Sequence, residues 1–417
     1  MVLPAASGGA RPLAYGPVAY RWVVLAVVMA ANAALQSLWI GYAPMTEAAQ
    51  AYYGVDETRI GLFAMVFMLA FIPLSLPASW LIDVRGARFA VTAGAVLAAT
   101  GGVWRGLAGP DWGTAFAATA LIAAAQPLLL NAWTSIAAVW FAQRQRAGAV
   151  SFMTLASLIG TAVALLVTPN LARALGVAGA QLVYGVTMAL AALLVVGFMR
   201  SAPHRPPDRD ADRERAVMLD GLRGALRNRP FRLLLAATVV VVGAFNGVAT
   251  WIEKIVAPRG LSSADAGIIG AAMLVAGVAG AVVLGAASDR QLRRVRYLLL
   301  GMLGGAPGLV GMAFGRSLPE LIGAAMVTGF FLVGAVPVGM QYGAEITRPT
   351  PEGTSNGLLQ LAGQASVVVV GFMVVARAGE GSFTPSLLLL AATLVVLAVV
   401  AARRLPEPLH SPLDAAT

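Results

Sequence analysis

Polar side chains recur at helical spacing inside stretches of the chain that are otherwise apolar. Asn32, Gln36 and Trp39 would lie on one face of a helix, and Gln360 and Gln364 would lie on one face of another. Amide, indole and phenol groups exchange hydrogen bonds without carrying a charge. They therefore suit the binding of a small polar solute. The other such residues in these stretches are Gln126, Asn131, Asn246, Trp251, Gln341 and Tyr342.

The residues on which most metal, redox and nucleophilic chemistry depends are missing from these stretches. The chain contains no cysteine, and its two histidines, His204 and His410, lie in polar segments. Its single lysine, Lys254, is not part of a G-x-x-x-x-G-K-[ST] phosphate-binding loop, and no H-E-x-x-H zinc motif occurs. We therefore expect no metal, no haem or other cofactor, and no enzymatic activity.

The composition identifies the solvent around the apolar stretches. The chain has 417 residues, of which 59% are hydrophobic and 12% are charged, and its mean hydropathy is +0.80. A soluble domain is about half apolar and about a quarter charged, whereas a membrane span needs roughly 20 apolar residues. The sequence predicts an all-α membrane protein. Its twelve predicted spans lie at about 20–44, 60–82, 89–108, 114–141, 147–171, 177–199, 231–255, 264–287, 297–315, 320–345, 355–377 and 384–402.

Arginine and lysine are unevenly distributed between alternate loops. If both termini lie on one side, that side carries 22 of the 29 basic residues and the other side carries 7. Because basic residues accumulate in cytoplasmic loops, both termini are predicted to be cytoplasmic, in a cell (inner) membrane. This distribution accounts for the formal charge of +10 without a nucleic-acid partner. The expected partners are a lipid bilayer and a small-molecule substrate, and the chain is expected to act as a monomer.

The two halves of the chain repeat. A shift of about 206 positions aligns Gly54 with Gly260 and Gly61 with Gly267, as expected for two copies of a six-helix unit. The polar segment between the halves contains a stretch at 216–229 that could form either an amphipathic surface helix or a solvated linker. The predicted organisation is an N-terminal six-helix bundle at 1–199, a cytoplasmic linker at 200–230 and a C-terminal six-helix bundle with a short tail at 231–417.

An acidic residue lies among arginines at the same point of each half. Asp83 and Arg88 belong to the sequence Leu-Ile-Asp-Val-Arg-Gly-Ala-Arg, and Asp289 and Arg290 belong to a weaker second copy. The first sequence resembles the signature of the major facilitator superfamily. The resemblance implies two pseudo-symmetric six-helix bundles around a central cavity, with the acidic residue pairing with basic groups to hold the halves together on one side. The alternative interpretation is local charge pairing at a helix end.

Several segments resemble a narrower group, the feline leukaemia virus subgroup C receptor family. That family includes transporters of choline and ethanolamine, and haem export has also been proposed for it. The resemblance therefore implies transport of a small solute. The matching segments are 38–42, 53–55, 125–127, 136–141 and 345–359, followed by Gln364.

The resemblance also implies where a quaternary amine would bind. In the family's choline transporters, aromatic residues of helices one and seven enclose the ammonium group, and glutamines of helices five and eleven lie nearby. Trp39 and Gln364 match two of these positions. Asn246 and Leu158 replace the helix-seven aromatic residue and the helix-five glutamine. The residues that could replace the missing aromatic ring are Phe245 and Trp251.

Alternatives remain for these site residues. Any single Asn or Gln could instead form a hydrogen bond between helices, and Trp39 could be an anchor at the membrane interface. No Arg or Lys lies near the middle of a predicted span, and Glu253 and Glu345 lie near span ends. Since transported anions and protons usually meet charged residues within the membrane, the sequence favours facilitative uniport of a polar or quaternary-amine solute by alternating access. The alternative is a proton-coupled exporter of drugs or metabolites with the same fold.

Overall fold

The described part of the chain is built almost entirely from helices. A computed structural model gives the structure of residues 19–202, 224–348, 350 and 352–407, and these ranges contain no β-strand. The predicted surface segment at 216–229 lies mostly outside the described residues. The all-α fold class predicted from the sequence is confirmed.

Six spans make up the N-terminal half. Its helices are α1 (Arg21–Ile40), α2 (Thr46–Tyr53), α3 (Glu57–Arg85), α4 (Ala87–Leu107), α5 (Trp112–Leu130), α6 (Ala132–Trp140) and α7 (Gln143–Phe198). The 56 residues of α7 would extend about 84 Å as one straight helix, more than twice the hydrocarbon thickness of roughly 30 Å. Gly176 has a φ of 72° and divides α7 into two spans. α5 and α6 form one span that is interrupted at Asn131.

Six further spans make up the C-terminal half. Its helices are α8 (Arg229–Val256), α9 (Ser263–Gln291), α10 (Arg294–Phe314), α11 (Leu318–Ile346), α12 (Glu352–Ala365), α13 (Val367–Glu380) and α14 (Thr384–Arg404). α12 and α13 together form one span. The described residues contain 11 helices that are long and apolar enough to cross a membrane. Because one of these is the long helix that Gly176 divides, the structure agrees with the twelve predicted spans.

Equivalent positions of the two halves adopt the same local structure. α3 and α9 each contain 29 residues and begin directly after a side-chain cap, Asp56 in one half and Ser262 in the other. Just before these caps, Gly54 and Gly260 end the preceding helices with φ values of 66° and 75°. Glycine adopts this left-handed backbone at little steric cost. The sequence repeat therefore corresponds to a structural repeat.

Glycine lets helices within each half approach closely. A Cβ atom on Gly280 of α9 would meet the carbonyl oxygen of Phe330 in α11, and Gly329 of α11 lies equally close to the backbone of α9. In the N-terminal half, Gly160 of α7 lies against the backbone of Ala33 in α1. Lipid is as apolar as the helices, so close van der Waals packing through small residues has to hold such helices together.

One arginine is buried inside the N-terminal half. Arg105, near the end of α4, is 1% exposed, and its Nη2 donates a hydrogen bond to the Leu38 carbonyl at 3.0 Å. Its guanidinium lies 5.2 Å from the centre of the Tyr42 ring. Leu38 belongs to the last turn of α1, whose carbonyls have no partner within the helix and which carries the negative end of the helix dipole. Arg105 therefore stabilises the end of α1.

We expect Gly280→Ala to destabilise the C-terminal half, because the new Cβ atom would overlap the Phe330 carbonyl. Overpacking costs about 1–3 kcal/mol, so the variant should unfold at a lower temperature than the unchanged protein in detergent. Gly285→Ala in the same helix is the matched control, since a Cβ atom there meets nothing within 4 Å. Equal unfolding temperatures for the two variants would contradict the packing.

Candidate solute-binding site

Several close contacts join the two halves at the end of the bundle that lies opposite the first residue of α1 and the last residue of α14. This end is called the far end below. The Trp251 ring of α8 packs on Gly61 of α3, and the backbone of Leu165 in α7 packs on Gly267 of α9. Gly61 and Gly267 are equivalent in the repeat. An equivalent glycine on each half is therefore in close contact with the other half, through a side-chain ring in one case and through helix backbone in the other.

Two carboxylates add polar links between the halves at the far end. Glu253 of α8 is buried and accepts hydrogen bonds from the backbone N–H of Glu47, at 3.0 Å, and from the Ser263 hydroxyl. Glu47 lies in the first turn of α2, where the helix dipole favours a negative charge. Glu57 at the start of α3 forms an ion pair with Arg377 of α13. Both packing and charge thus close the far end.

The four residues predicted to hold the halves together at the opposite end do not do so in this conformation. Asp83, Arg88 and Arg290 are exposed, and Asp289 pairs with Arg294 of its own half. Within the described residues, no ion pair joins any of the four to the other half.

Arg294 joins three helices of the C-terminal half. Its Nη2 donates to Glu345 of α11 at 3.0 Å, and its Nη1 donates to the Ser288 hydroxyl of α9 at 3.1 Å and to Asp289. The acidic residue at the end of α9 therefore takes part in a network within one half. For Asp289, this conformation shows the local charge pairing that the sequence left as the alternative.

Two indole rings are held in position near α1. Asn32 is fully buried, and its Oδ1 accepts a hydrogen bond from the Nε1 of Trp133 in α6 at 3.2 Å. Its Nδ2 donates to the Val28 carbonyl at 2.8 Å. Trp39, further along α1, is 8% exposed and donates from Nε1 to the Ala64 carbonyl at 3.3 Å. Each ring therefore has its polar edge attached to a neighbouring helix.

The sequence reasoning did not identify Trp133. Its only signal was its position, two residues after Asn131 in a span that also contains Gln126. A tryptophan in a predicted span is not distinctive by itself, because tryptophans are common at membrane interfaces. The hydrogen bond to Asn32 is what distinguishes it.

Six buried side-chain oxygens lack a hydrogen-bond partner among the described residues. Three are amide oxygens on spans that carry predicted site residues, namely Oε1 of Gln36 in α1, Oε1 of Gln126 in α5 and Oδ1 of Asn356 in α12; the others belong to Gln181, Thr250 and Ser386. A buried acceptor left without a partner costs about 1–3 kcal/mol, so a water or a solute that donates a hydrogen bond would be favoured beside each. Gln360 and Gln364, on the same span as Asn356, are half-buried. These amides are the best candidates for contact with a solute.

Two of the predicted site residues take part in helix packing instead. Asn131 donates from Nδ2 to the Ser75 carbonyl and hydroxyl, both at 3.0 Å, and to the Ser79 hydroxyl at 3.1 Å. Trp251 is 1% exposed and donates from Nε1 to the Val370 carbonyl at 3.1 Å. Both side chains are used between helices, so in this conformation Trp251 offers no surface that could replace the missing aromatic ring.

The predicted residues of α11 also have partners within the protein. Tyr342 is fully buried, and its hydroxyl donates to the Pro406 carbonyl at 2.9 Å. Gln341 is exposed and donates from Nε2 to Glu345 Oε1 at 2.9 Å. Tyr342 therefore attaches the end of α11 to the segment after α14, and its place in a solute site stays a prediction.

The two positions that depart from the amine cage have neutral surroundings. Asn246 of α8 is half-buried and donates from Nδ2 to the Ser366 hydroxyl at 3.1 Å, and the adjacent Phe245 is half-buried against the apolar core. Leu158 of α7 is half-buried in the same way. Phe245 therefore remains the candidate for a second aromatic ring from α8.

Buried ionic groups lie near helix ends. Arg105 is in the last turn of α4, Glu253 is near the end of α8, and Arg294 begins α10. Among the residues with described positions, no group of three His, Cys, Asp or Glu side chains could hold a metal ion. Between the helix ends, the candidate site thus offers neutral amides and indoles.

Comparisons with known sequences agree with this architecture. The chain matches the sequence model of the Major Facilitator Superfamily over residues 22–290 and 254–416. It is 30% identical over 375 residues to solute carrier family 49 member A3 of Danio rerio, covering 87% of this chain and 78% of that protein. It is also 30% identical over 373 residues to the choline/ethanolamine transporter FLVCR1 of Felis catus, covering 83% of this chain but only 66% of that longer protein.

Solved structures show the same fold. A bacterial homologue of the human lysosomal transporter Spinster, in an inward-facing and unoccupied conformation, superposes with a TM-score of 0.73 at 17% identity, covering 93% of this chain and 96% of that one. The fucose:proton symporter FucP of E. coli superposes with a TM-score of 0.61 at 15% identity, covering 91% and 99%. The chain therefore belongs to the major facilitator superfamily of membrane transporters.

Proposed function

We propose that the protein is a facilitative uniporter that moves a small polar or amine solute by alternating access, with choline and ethanolamine as the first candidates. The observation that carries the proposal is that three of the four described buried amide oxygens without partners, those of Gln36, Gln126 and Asn356, lie on spans that carry predicted site residues. Ammonium and hydroxyl groups would donate hydrogen bonds to them, and an indole face attracts an organic cation by about 0.5–2 kcal/mol. The printed name of the Felis catus relative, a choline/ethanolamine transporter, supports the same solute class.

Asn246 and Leu158 replace the aromatic residue and the glutamine of the amine cage, and these differences affect which amine binds better. A trimethylated ammonium has no N–H group and depends on aromatic faces, whereas a primary ammonium has three N–H donors. Such donors suit the oxygens of Gln36, Gln126 and Asn356. We therefore expect ethanolamine, or another solute rich in donors, to bind more tightly than choline.

The transport cycle follows from the contacts at the far end. The distribution of basic residues supports a cell membrane location with both termini in the cytoplasm. In that orientation the far end is extracellular, and the conformation described above is closed to the outside. Opening it requires the halves to rock apart there and to approach each other around Asp83 and Asp289. The four loop residues would then act as the gate of the opposite state.

One observation favours a second candidate, proton-coupled export. Glu253 is buried between the halves, and its carboxylate holds the first turn of α2. The carboxylate supplies a negative charge at the positive end of the α2 dipole, so a neutral side chain at this position would favour opening of the far end. A uniporter would transport at the same initial rate with and without an imposed pH gradient. A proton-coupled exporter would depend on the gradient and would lose that dependence in Glu253→Gln.

We expect proteoliposomes containing the purified protein to take up radiolabelled ethanolamine, and more weakly choline, down a concentration gradient and without an imposed pH gradient. Protein-free liposomes of the same lipid give the background. Excess unlabelled ethanolamine should compete with the labelled solute. Uptake of neither amine at concentrations well above micromolar would exclude this solute class and leave the superfamily assignment unaffected.

We expect Trp39→Ala to weaken amine binding at least tenfold, about 1.4 kcal/mol, because the ring is fixed by the Ala64 carbonyl beside the candidate site. Trp22→Ala is the matched control, since Trp22 lies in the same helix and is 50% exposed. The measurement is the Kd of the amine, obtained by equilibrium binding. An equal Kd for both variants would assign Trp39 to the membrane interface.

We expect cross-linking of the far end to stop transport. The chain contains no cysteine, so Glu57→Cys/Arg377→Cys can be joined by a short, reducible bifunctional thiol reagent without altering any other site. Uptake should fall to background and return after reduction, because opening of the far end is required for each cycle. Glu57→Cys alone, treated identically, controls for loss of the ion pair. Undiminished uptake by fully cross-linked protein would contradict alternating access through the far end.

A further inference from the structure

A cleft lies at the far end of the C-terminal half, and none of the predicted solute-site residues lines it. Its volume is about 200 Å³, and it is bounded by the end of α8, the end of α13 and the start of α14. Three of its lining residues are cationic, namely Lys254, Arg259 and Arg377, and none of its described lining residues is acidic. Cations concentrated in a recess attract anions more strongly than cations on a flat, solvated surface.

Arg259 is held in the cleft by neutral groups. Its Nη2 donates to the Met312 carbonyl at 2.9 Å and to the Ala313 carbonyl at 2.7 Å, and its Nη1 donates to the Ile255 carbonyl. Met312 and Ala313 belong to the last turn of α10, whose carbonyls lack helical partners. These contacts fix the guanidinium in position, and since no carboxylate is among them, its positive charge remains available to a ligand.

The other two cations are incompletely neutralised. Arg377 forms an ion pair with Glu57, and its guanidinium lies 5.0 Å from the centre of the Phe383 ring. Lys254 is half-buried and has no hydrogen bond or ion pair within the described part of the chain. The carboxylate next to it in sequence, Glu253, is engaged by α2 and α9. Among the side chains that the structure describes here, one carboxylate, that of Glu57, is paired with one of the three cations.

The remaining wall of the cleft offers hydroxyl and backbone groups. The backbone N–H of Thr384 donates to Ser382 Oγ at 3.1 Å, and that hydroxyl donates to Thr384 Oγ1 at 3.2 Å. α14 begins at Thr384, and its N-cap, Phe383, supplies no side-chain hydrogen bond. The positive end of the α14 dipole thus adds to the three side-chain charges.

We propose that this cleft binds an oxyanion, namely a phosphate group. Its volume suits a group of that size, because sites for whole drug-sized molecules occupy about 300–1,000 Å³. The cleft is formed by span ends, at the depth where lipid headgroups meet water. The oxyanion therefore comes either from the headgroup of an anionic lipid or from a free anion. The site does not depend on which solute the protein transports.

The test uses the purified full-length protein in a neutral detergent at constant ionic strength. Binding is followed by the shift in unfolding temperature and by tryptophan fluorescence on addition of inorganic phosphate, of phosphatidylglycerol or of diacylglycerol, which lacks the phosphate. We expect Lys254→Gln to raise the Kd of the ligand that binds about fivefold or more, the change that about 1 kcal/mol produces. Lys254→Arg should retain binding, because it keeps the charge.

Arg316→Gln is the matched control, since it removes an exposed cation from the same end of the molecule outside the cleft. Its Kd should equal that of the unchanged protein. Binding of inorganic phosphate would support the site with a free anion as its ligand, and a response to phosphatidylglycerol alone would support it with a lipid headgroup. The proposal is overturned if neither compound binds, if diacylglycerol acts like phosphatidylglycerol, or if Lys254→Gln and Arg316→Gln behave alike.

Discussion

A helix end that is buried inside the protein has no water with which to satisfy the carbonyls of its last turn, and each half of this protein solves that problem with an arginine. In the N-terminal half, Arg105 at the end of α4 donates to the end of α1, at Leu38. In the C-terminal half the direction is reversed, because Arg259 just after α8 donates to the end of α10. Since α8 is equivalent to α1 and α10 to α4, the same pair of helix ends is joined in both halves. The arginine that donates comes from a different helix in each half, and only the need to satisfy the carbonyls of a helix end is common to both.

The closure of the far end combines symmetric and asymmetric contacts. Gly61 and Gly267 are equivalent, and each receives a helix from the other half. Glu47 and Glu253 are also equivalent, 206 positions apart, yet only Glu253 places its carboxylate in the interface, where it binds the backbone of Glu47. Packing through glycine fixes how closely the halves approach. The buried carboxylate of Glu253 and the ion pair between Glu57 and Arg377 add polar contacts to this closure.

How much of this could be predicted from sequence depends on whether a property is local. Span positions were predictable because hydrophobicity accumulates within one segment, and the repeat was predictable because glycines such as Gly54 and Gly260 are visible by alignment. The contacts that the side chains of Asn131 and Trp251 make could not be predicted. A polar residue on a helix face has the same spacing whether it meets a neighbouring helix or a cavity. The contact partner decides whether the residue packs between helices or faces a cavity. The partner is Ser75 for Asn131 and Gly61 for Trp251, and each lies far away in sequence.

The distinction between satisfied and unsatisfied polar groups also bears on which residues can serve transport. A solute gains little from a group such as Asn131 that the protein already saturates, because one hydrogen bond must break for another to form. The oxygens of Gln36 and Gln126 are shielded from water and accept no hydrogen bond within the described residues. A donor that reaches them therefore gains more free energy than it would from a hydrogen bond in water. They are neutral, however, and a neutral hydrogen bond is about half as strong as a charge-assisted one. Such a site binds the solute weakly enough to release it when the gate next opens, and turnover requires that release.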